Sequence, residues 1–152
     1  MLHNYLHNFQ FKKMKTGCFK QIDEEKNNGF ISISLYPSKN EFVKQEYKSL
    51  APNWKLFENL KSNNITQEKF IEEFMDQLNS LNANTVIDDL KSLVIGFEPI
   101  LMTNGNKKKF CHRHLVAHWL QNQLNIQVEE YKVGKVSRLN GFMKKIENPT
   151  LF

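Results

Sequence analysis

The spacing of hydrophobic positions changes several times along this chain, which predicts strands alternating with helices. In residues 30–35, apolar side chains occupy every second position, the spacing of a half-buried strand that Pro37 then ends. After Thr66, a predicted N-cap, the spacing becomes three and four, typical of an amphipathic helix. The apolar face of that helix comprises Phe70, Ile71, Phe74, Leu78 and Leu81.

Shorter signals complete the order of elements. Residues 15–19 are expected to end a first short strand and turn, and further strands are predicted at 99–103 and 126–131. Helices are predicted at 53–60, from an Asn84 cap to Leu93, and from about Cys111 to Leu124, and a long loop at 38–50. Strands that alternate with helices favour an α/β sheet of mainly parallel strands. Ligands of such sheets bind beyond the carboxyl ends of the strands, where residues 102–113 are expected to emerge.

Length and composition indicate one folded domain. The 152 residues are 40% hydrophobic and include 12 phenylalanines, enough for a substantial core. We expect an N-terminal extension at 1–13, with a candidate edge strand, an α/β domain at 14–131, and a tail at 132–152 that packs on it.

Charge and cysteine content narrow the class of protein. A net charge of +5 is compatible with an anionic partner. Two cysteines far apart in sequence fit a reduced, cytoplasmic setting better than a disulfide scaffold. No apolar stretch approaches the roughly 20 residues that span a bilayer, and the start is unlike a secretory signal, so no membrane partner is expected.

The candidate chemistry is concentrated in residues 110–120. A thiol, three imidazoles and a guanidinium lie between Cys111 and His118, directly after the basic loop 106–109 and at a predicted helix start. A helix N-terminus presents unpaired N–H groups and a partial positive charge, so it favours anions. Lys107, Lys108, Lys109 and Arg113 would supply further charge for a phosphate group, although no glycine-rich nucleotide motif is present.

The same residues allow two other interpretations, a reactive thiolate and a zinc site. Cys111 beside basic groups at a helix start has the environment of a reactive thiolate, with a histidine as base, although the phosphatase spacing Cys-x5-Arg is absent. Cys111, His114 and His118 share one helix face and could ligate zinc, but no fourth ligand is evident, so no metal or other cofactor is predicted.

Nucleic acid is the remaining partner that the composition allows. The basic loop could act with aromatic side chains that stack on bases, although no known nucleic-acid-binding motif is present. The aromatic candidates are Tyr36, Tyr47, Trp54 and Phe110. Adjacent residues diverge on a helix and on a strand, so the acidic pairs Asp88-Asp89 and Glu129-Glu130 are assigned to solvated surfaces.

The run Phe110-Cys111-His112-Arg113-His114-Leu115-Val116-Ala117, followed by Trp119-Leu120, closely resembles the signature of the domain-of-unknown-function 488 (DUF488) family. Segments 16–19, 31–37, 47–52 and 65–70 resemble other family segments in the same order, so the resemblance covers residues 14–131. It implies a compact, Rossmann-like three-layer α/β domain. It also maps Cys111, His112, Arg113 and His114 onto the family's shared cluster, and Thr16, Ser34 and Pro37 onto matched strand ends.

One segment departs from the family. After the central strand, members usually carry an acidic or Cys-containing stretch of the type Leu-Cys-Tyr-Glu, whereas this chain has Leu101-Met102-Thr103-Asn104-Gly105 and then three lysines. The missing carboxylate disfavours acid–base catalysis and metal binding, and the lysines favour an anion.

Three hypotheses about function follow. In the leading one, the domain binds a phosphate-bearing ligand, a nucleotide or nucleic acid, at the Lys107–His114 edge, with Thr16, the three lysines and Arg113 as ligand-binding residues. In the second, it is a hydrolase or transferase acting on a nucleotide or base, with Cys111, His112 and His114 as catalytic candidates. In the third, it is a phage or mobile-element protein that binds a host factor. The oligomeric state is not predicted.

Overall fold

The structure, a computed structural model, describes residues 13–23 and 27–146. Its strands are β1 (Lys13–Cys18), β2 (Phe30–Ser32), β3 (Gln45–Glu46), β4 (Ile100–Thr103), β5 (Gln127–Glu130), β6 (Val136–Leu139) and β7 (Phe142–Lys145). Its α-helices are α1 (Trp54–Lys61), α2 (Gln67–Asn79), α3 (Ala83–Leu93) and α4 (His112–Leu124). Short 3-10 turns cover Phe19–Gln21 and Lys48–Leu50.

Five strands form one parallel sheet in the order β3-β2-β4-β1-β5. Cys18 at the end of β1 lies opposite Thr103 at the end of β4, and Ser32 at the end of β2 lies opposite Met102. The carboxyl ends of three neighbouring strands therefore meet at one edge. The prediction of an α/β domain with a mainly parallel sheet is confirmed.

The two faces of the sheet are covered differently. All four helices contribute to a large apolar cluster on one face, where the side chains of Phe74, Leu78 and Leu90 are fully buried. A smaller cluster covers the other face, where the 3-10 turn Phe19–Gln21 and nearby loops form the third layer. Its members are Ile22, Phe30, Ile100, Met102 and Tyr131, with Phe19, Phe42 and Val43 packed against them.

Side-chain caps begin three of the helices. The side chains of Asn53, Thr66 and Asn82 each accept a hydrogen bond from a backbone N–H in the first turn. The predicted Thr66 cap is confirmed. The predicted Asn84 cap is wrong, because α3 already begins at Ala83 and Asn82 supplies the oxygen. Helix α4 differs, since Cys111 occupies its N-cap without a side-chain cap hydrogen bond.

Several strand boundaries differ from the prediction. The strand predicted over 30–35 ends at Ser32, although Ile33 stays buried and its N–H still bonds to the Met102 carbonyl. The loop predicted over 38–50 contains β3 and a 3-10 turn. The candidate edge strand at 1–13 lies outside the described residues except for Lys13, which begins β1.

Strands β6 and β7 form an antiparallel hairpin that contacts the start of α4. The Cys111 N–H donates to the Gly141 carbonyl (2.9 Å), and the rings of Phe110 and Phe142 pack edge to face. Gly141 has φ +84°, and a Cβ there would overlap the Phe110 ring. Within the described residues, the helices are too short or too polar to cross a membrane.

Candidate functional site

A cavity of about 530 Å³ opens at the sheet edge where the carboxyl ends of β2 and β4 meet the start of α4. Thr103, Cys111 and His112 lie on its lining, together with Ser34 and Lys39. Aromatic side chains form much of the remaining wall: Phe19, Tyr36, Phe57, Phe70 and Phe110. The residues that line it include no carboxylate, so the cavity favours a neutral or anionic ligand over a cation.

Cys111 is held by backbone and side chain at the N-cap of α4. Its N–H is occupied by the Gly141 carbonyl, and its Sγ lies 3.2 Å from the Thr103 hydroxyl. The alternative acceptor for that hydroxyl, the Gly17 carbonyl, is 3.5 Å away and therefore weaker. When the thiol is ionised, the Thr103 hydroxyl is best placed to donate its one hydrogen bond to the Cys111 sulfur.

His112 has one ring nitrogen fixed by the backbone. Its Nε2 lies 2.7 Å from the Ile33 carbonyl oxygen, which can only accept, so Nε2 carries a proton. In the neutral ring Nδ1 is then a proton acceptor. The edge of the ring packs against Phe74, which holds its orientation.

These neighbours decide the ionisation of Cys111. Burial raises the pKa of the thiol, but the hydrogen bond and charge of His112 act in the opposite direction. The charge of Arg113 and the hydroxyl of Thr103 add to that effect, and the pKa falls from the usual 9.0 to about 6. These neighbours therefore favour the thiolate form of Cys111 over that of an ordinary cysteine.

Arg113 and Glu130 form a fully buried ion pair beneath this site. Arg113 Nη2 lies 2.8 Å from Glu130 Oε2, Nε bonds to both carboxylate oxygens, and both side chains are 0% exposed. The Thr16 hydroxyl donates to Glu130 Oε1 (2.9 Å). Burial opposes the charge of Arg113, but its bonds to Glu130 and the negative charge of Cys111 raise its pKa, so it stays a cation.

A comparison with known protein families finds one family model that matches most of this chain. The family model DUF488-N3a, described as the active DUF488-N3 subclade, matches residues 12–124. This chain belongs to the DUF488 family. No curated protein and no solved structure matches it.

Two of the predicted catalytic residues lie on the cavity of this DUF488 domain, and one does not. Cys111 and His112 line it, whereas His114 is buried behind the hairpin and its Nδ1 accepts from Arg138 Nη1 (2.6 Å). Burial and the nearby charges of Arg113 and Arg138 lower the pKa of His114 to about 2, so its ring stays neutral. His114 has the position of a structural residue between α4 and β6.

The predicted ligand-binding residues are not together. Lys107, Lys108 and Lys109 are exposed and do not line the cavity. Thr16 and Arg113 are buried, with Glu130 as their shared partner rather than an external anion. The cation on the cavity wall is Lys39, which lies in the segment that the sequence assigned to a loop.

The acidic pair on β5 differs from its assignment. Assigning Glu129-Glu130 to a solvated surface is wrong for Glu130, which is 0% exposed. Glu130 lies two residues after buried Val128 and so on the same strand face, a signal that the sequence contained. Among the described residues no group of three potential ligands is placed to hold a metal ion, and His118 instead bonds to Asn122 on the exposed side of α4.

Proposed function

We propose that this DUF488 protein is an enzyme, a hydrolase or transferase in which Cys111 is the nucleophile and His112 accepts and returns a proton. The observation that carries the proposal is the placement of the Cys111 thiol on the wall of a cavity of about 530 Å³, next to Thr103 and His112, which lower its pKa. Catalytic thiolates need both access and a lowered pKa, because the thiolate is the attacking species. The matched family is described as active, which agrees with this assignment.

The chemistry proceeds in two displacements. In the reactive state the proton of Cys111 is held on His112 Nδ1, and the ionised Sγ attacks an electrophilic carbon or phosphorus of the substrate. The bond to the leaving group breaks with its electron pair, and the leaving group takes the proton from His112. Water, or a second acceptor in a transferase, then displaces the sulfur, and the proton that it loses passes through His112 to Cys111 or the solvent.

The cavity wall supports a nucleotide or nucleobase derivative as the substrate. Aromatic side chains such as Tyr36, Phe57 and Phe110 can contact a planar ring. Lys39 and the N-terminus of α4 would hold a phosphate group, while the exposed lysines of 107–109 would attract it from solution. A nucleotide or nucleobase substrate would fit a cytoplasmic protein.

Binding of a phosphate-bearing ligand without chemistry is the second candidate function. It is favoured by the same cavity, whose lining carries Lys39 and no carboxylate. It differs from the first proposal in one respect, since it requires no ionised sulfur. The host-factor hypothesis stays a prediction.

A substrate screen separates the two candidates. The protein is incubated with the common ribonucleotides, nucleosides and bases, turnover is followed by chromatography, and Cys111 is examined for a covalent adduct by peptide mass spectrometry. Cys111→Ser is the test variant and Cys18→Ala the matched control. Turnover that Cys111→Ser abolishes and Cys18→Ala retains supports the enzyme. Ligand binding without turnover, unchanged in Cys111→Ser, overturns it in favour of the binding protein.

A further inference from the structure

One nitrogen of the buried Arg113 guanidinium has no hydrogen-bond partner among the described residues. Nε and Nη2 bond to Glu130, whereas Nη1 is buried and unpaired. An unpaired nitrogen of a charged group costs free energy when it is removed from water, unless a negative charge lies nearby.

The geometry around Gly105 shows where that nitrogen lies. A Cβ added to Gly105 would come within 2.7 Å of Arg113 Nη1 and within 2.9 Å of Cys111 Sγ. The guanidinium nitrogen and the sulfur therefore both lie within 2.9 Å of one point, without a hydrogen bond between them, and only a residue without a side chain leaves room for both. Their proximity is independent of any assumption about ionisation.

We propose that Arg113 is a positioning residue for the thiol chemistry: Glu130 and Thr16 fix its guanidinium so that Nη1 lies beside Cys111 Sγ and keeps the sulfur ionised. This inference rests on the proposed function. It gives Arg113 a role different from an anion-binding residue, because the anion that it serves belongs to the protein. Glu130 contributes to the same role by orienting Arg113, although it does not reach the cavity wall.

The arrangement divides one cation between two anions. Glu130 occupies the Nε and Nη2 edge of the guanidinium, and the Nη1 side is left to the sulfur. Without Glu130 the guanidinium would keep only the long bond from Nη2 to the Asn106 carbonyl (3.4 Å), and without Arg113 the buried carboxylate would have no cation beside it. Other titratable or charged groups that interact with Cys111 are His112 from α4, Cys18 from β1 and Arg138 from β6, while Glu130 from β5 pairs with Arg113.

The test removes both charges of the pair at once. The double variant Arg113→Met with Glu130→Gln leaves neither member of the pair as an uncompensated buried charge, and the amide oxygen that replaces the carboxylate can still accept from Thr16. Glu129→Gln is the matched control, since Glu129 lies on the same strand with its side chain toward the other face. Gly105→Ala is the second test variant, which displaces Nη1 and Sγ without changing any charge.

The readout is the rate at which iodoacetamide alkylates Cys111 as a function of pH, measured on the Cys111 peptide. Removing a cation at this range should raise the thiol pKa by about 1 to 3, so that alkylation at neutral pH falls about tenfold in the double variant. Gly105→Ala should move the profile in the same direction, and Glu129→Gln should not move it.

The outcomes separate this inference from the proposed function. A low thiol pKa in the wild type that the double variant leaves unchanged overturns the role of Arg113 and leaves the nucleophile standing. An ordinary thiol pKa in the wild type removes the proposed function itself. Unfolding midpoints in urea show that the variants fold, and a double variant that does not fold leaves the decision to Gly105→Ala.

Discussion

Two cysteines lie near the same edge of this sheet and behave in opposite ways. Cys18 ends β1 and is 2% exposed, and Cys111 precedes α4 and is 8% exposed, so both are buried. Burial raises the pKa of Cys18 to about 11, even though the charge of Arg113 lowers it. Burial also raises the pKa of Cys111, yet that pKa falls to about 6 because its neighbours lower it further.

The difference teaches that neighbouring groups, rather than exposure, set the pKa values of these two thiols. Arg113 lowers the pKa of both cysteines. Only the pKa of Cys111 is lowered by His112 and by the Thr103 hydroxyl, which lies 3.2 Å from Sγ, and only Cys111 lies on the cavity wall. A charge at a distance does not overcome desolvation here, whereas the same charge with direct hydrogen bonds does.

The largest effect on the rate of labelling by iodoacetamide is expected from removing one cysteine at a time. At neutral pH, Cys111 should react with iodoacetamide about a hundredfold faster than Cys18, because its larger thiolate fraction outweighs its lower intrinsic nucleophilicity. Cys111→Ser should therefore abolish fast labelling of the protein, and Cys18→Ala should leave it intact. Fast labelling that persists in Cys111→Ser would break the comparison.

Breaking the ion pair on one side should affect stability most. Arg113→Met alone leaves Glu130 buried and unpaired, which costs about 3–5 kcal/mol of unfolding free energy. The double variant with Glu130→Gln should recover much of that loss. Urea unfolding of the single and double variants checks this, and equal stabilities would show that the two side chains are not coupled.

Removing His112 should bring Cys111 closer to Cys18. His112→Gln deletes the imidazole that contributes most to lowering the Cys111 pKa. We expect that pKa to rise, and the alkylation rate at neutral pH to fall about tenfold. The full pH profile distinguishes this from a loss of access, which would slow the reaction equally at every pH.

The smallest of these effects is expected from the Thr103 hydroxyl, the last of the groups that lower the Cys111 pKa. Thr103→Val keeps the shape of the side chain and removes one hydrogen bond to sulfur. A net hydrogen bond of this kind corresponds to a rise of about 0.5 in the thiol pKa, so the alkylation rate should fall about threefold below pH 6 and change little at neutral pH. A fall larger than that of His112→Gln would reverse the order of the two groups.

Local pattern predicted the elements of this fold better than it predicted their partners. The alternation of strands and helices, the Thr66 cap and the position of Cys111 at a helix start all depend on residues close in sequence, and all are observed. The buried Arg113–Glu130 pair joins a helix to the next strand, and its geometry depends on how α4 packs on β5. No local signal carries that packing, so Arg113 was predicted to bind an external anion and Glu130 to face water.

The resemblance to the DUF488 family also predicted the position of a carboxylate only from residues close in sequence. The carboxylate expected directly after the central strand is absent, but Glu130 on β5 places a carboxylate beneath the same edge. Neighbourhood in a parallel sheet is set by strand order, and β1 is the strand that separates β4 from β5. A missing residue in one segment is therefore a poor guide to the chemistry of the assembled site.

The most direct test of the central claim is the pH profile of iodoacetamide alkylation in the wild-type protein, followed separately for the Cys111 and Cys18 peptides. We predict a midpoint near pH 6 for Cys111, with Cys18 still slow at pH values where Cys111 reacts at its full rate. A Cys111 midpoint at the usual 9.0, or profiles that coincide for the two cysteines, would contradict the account.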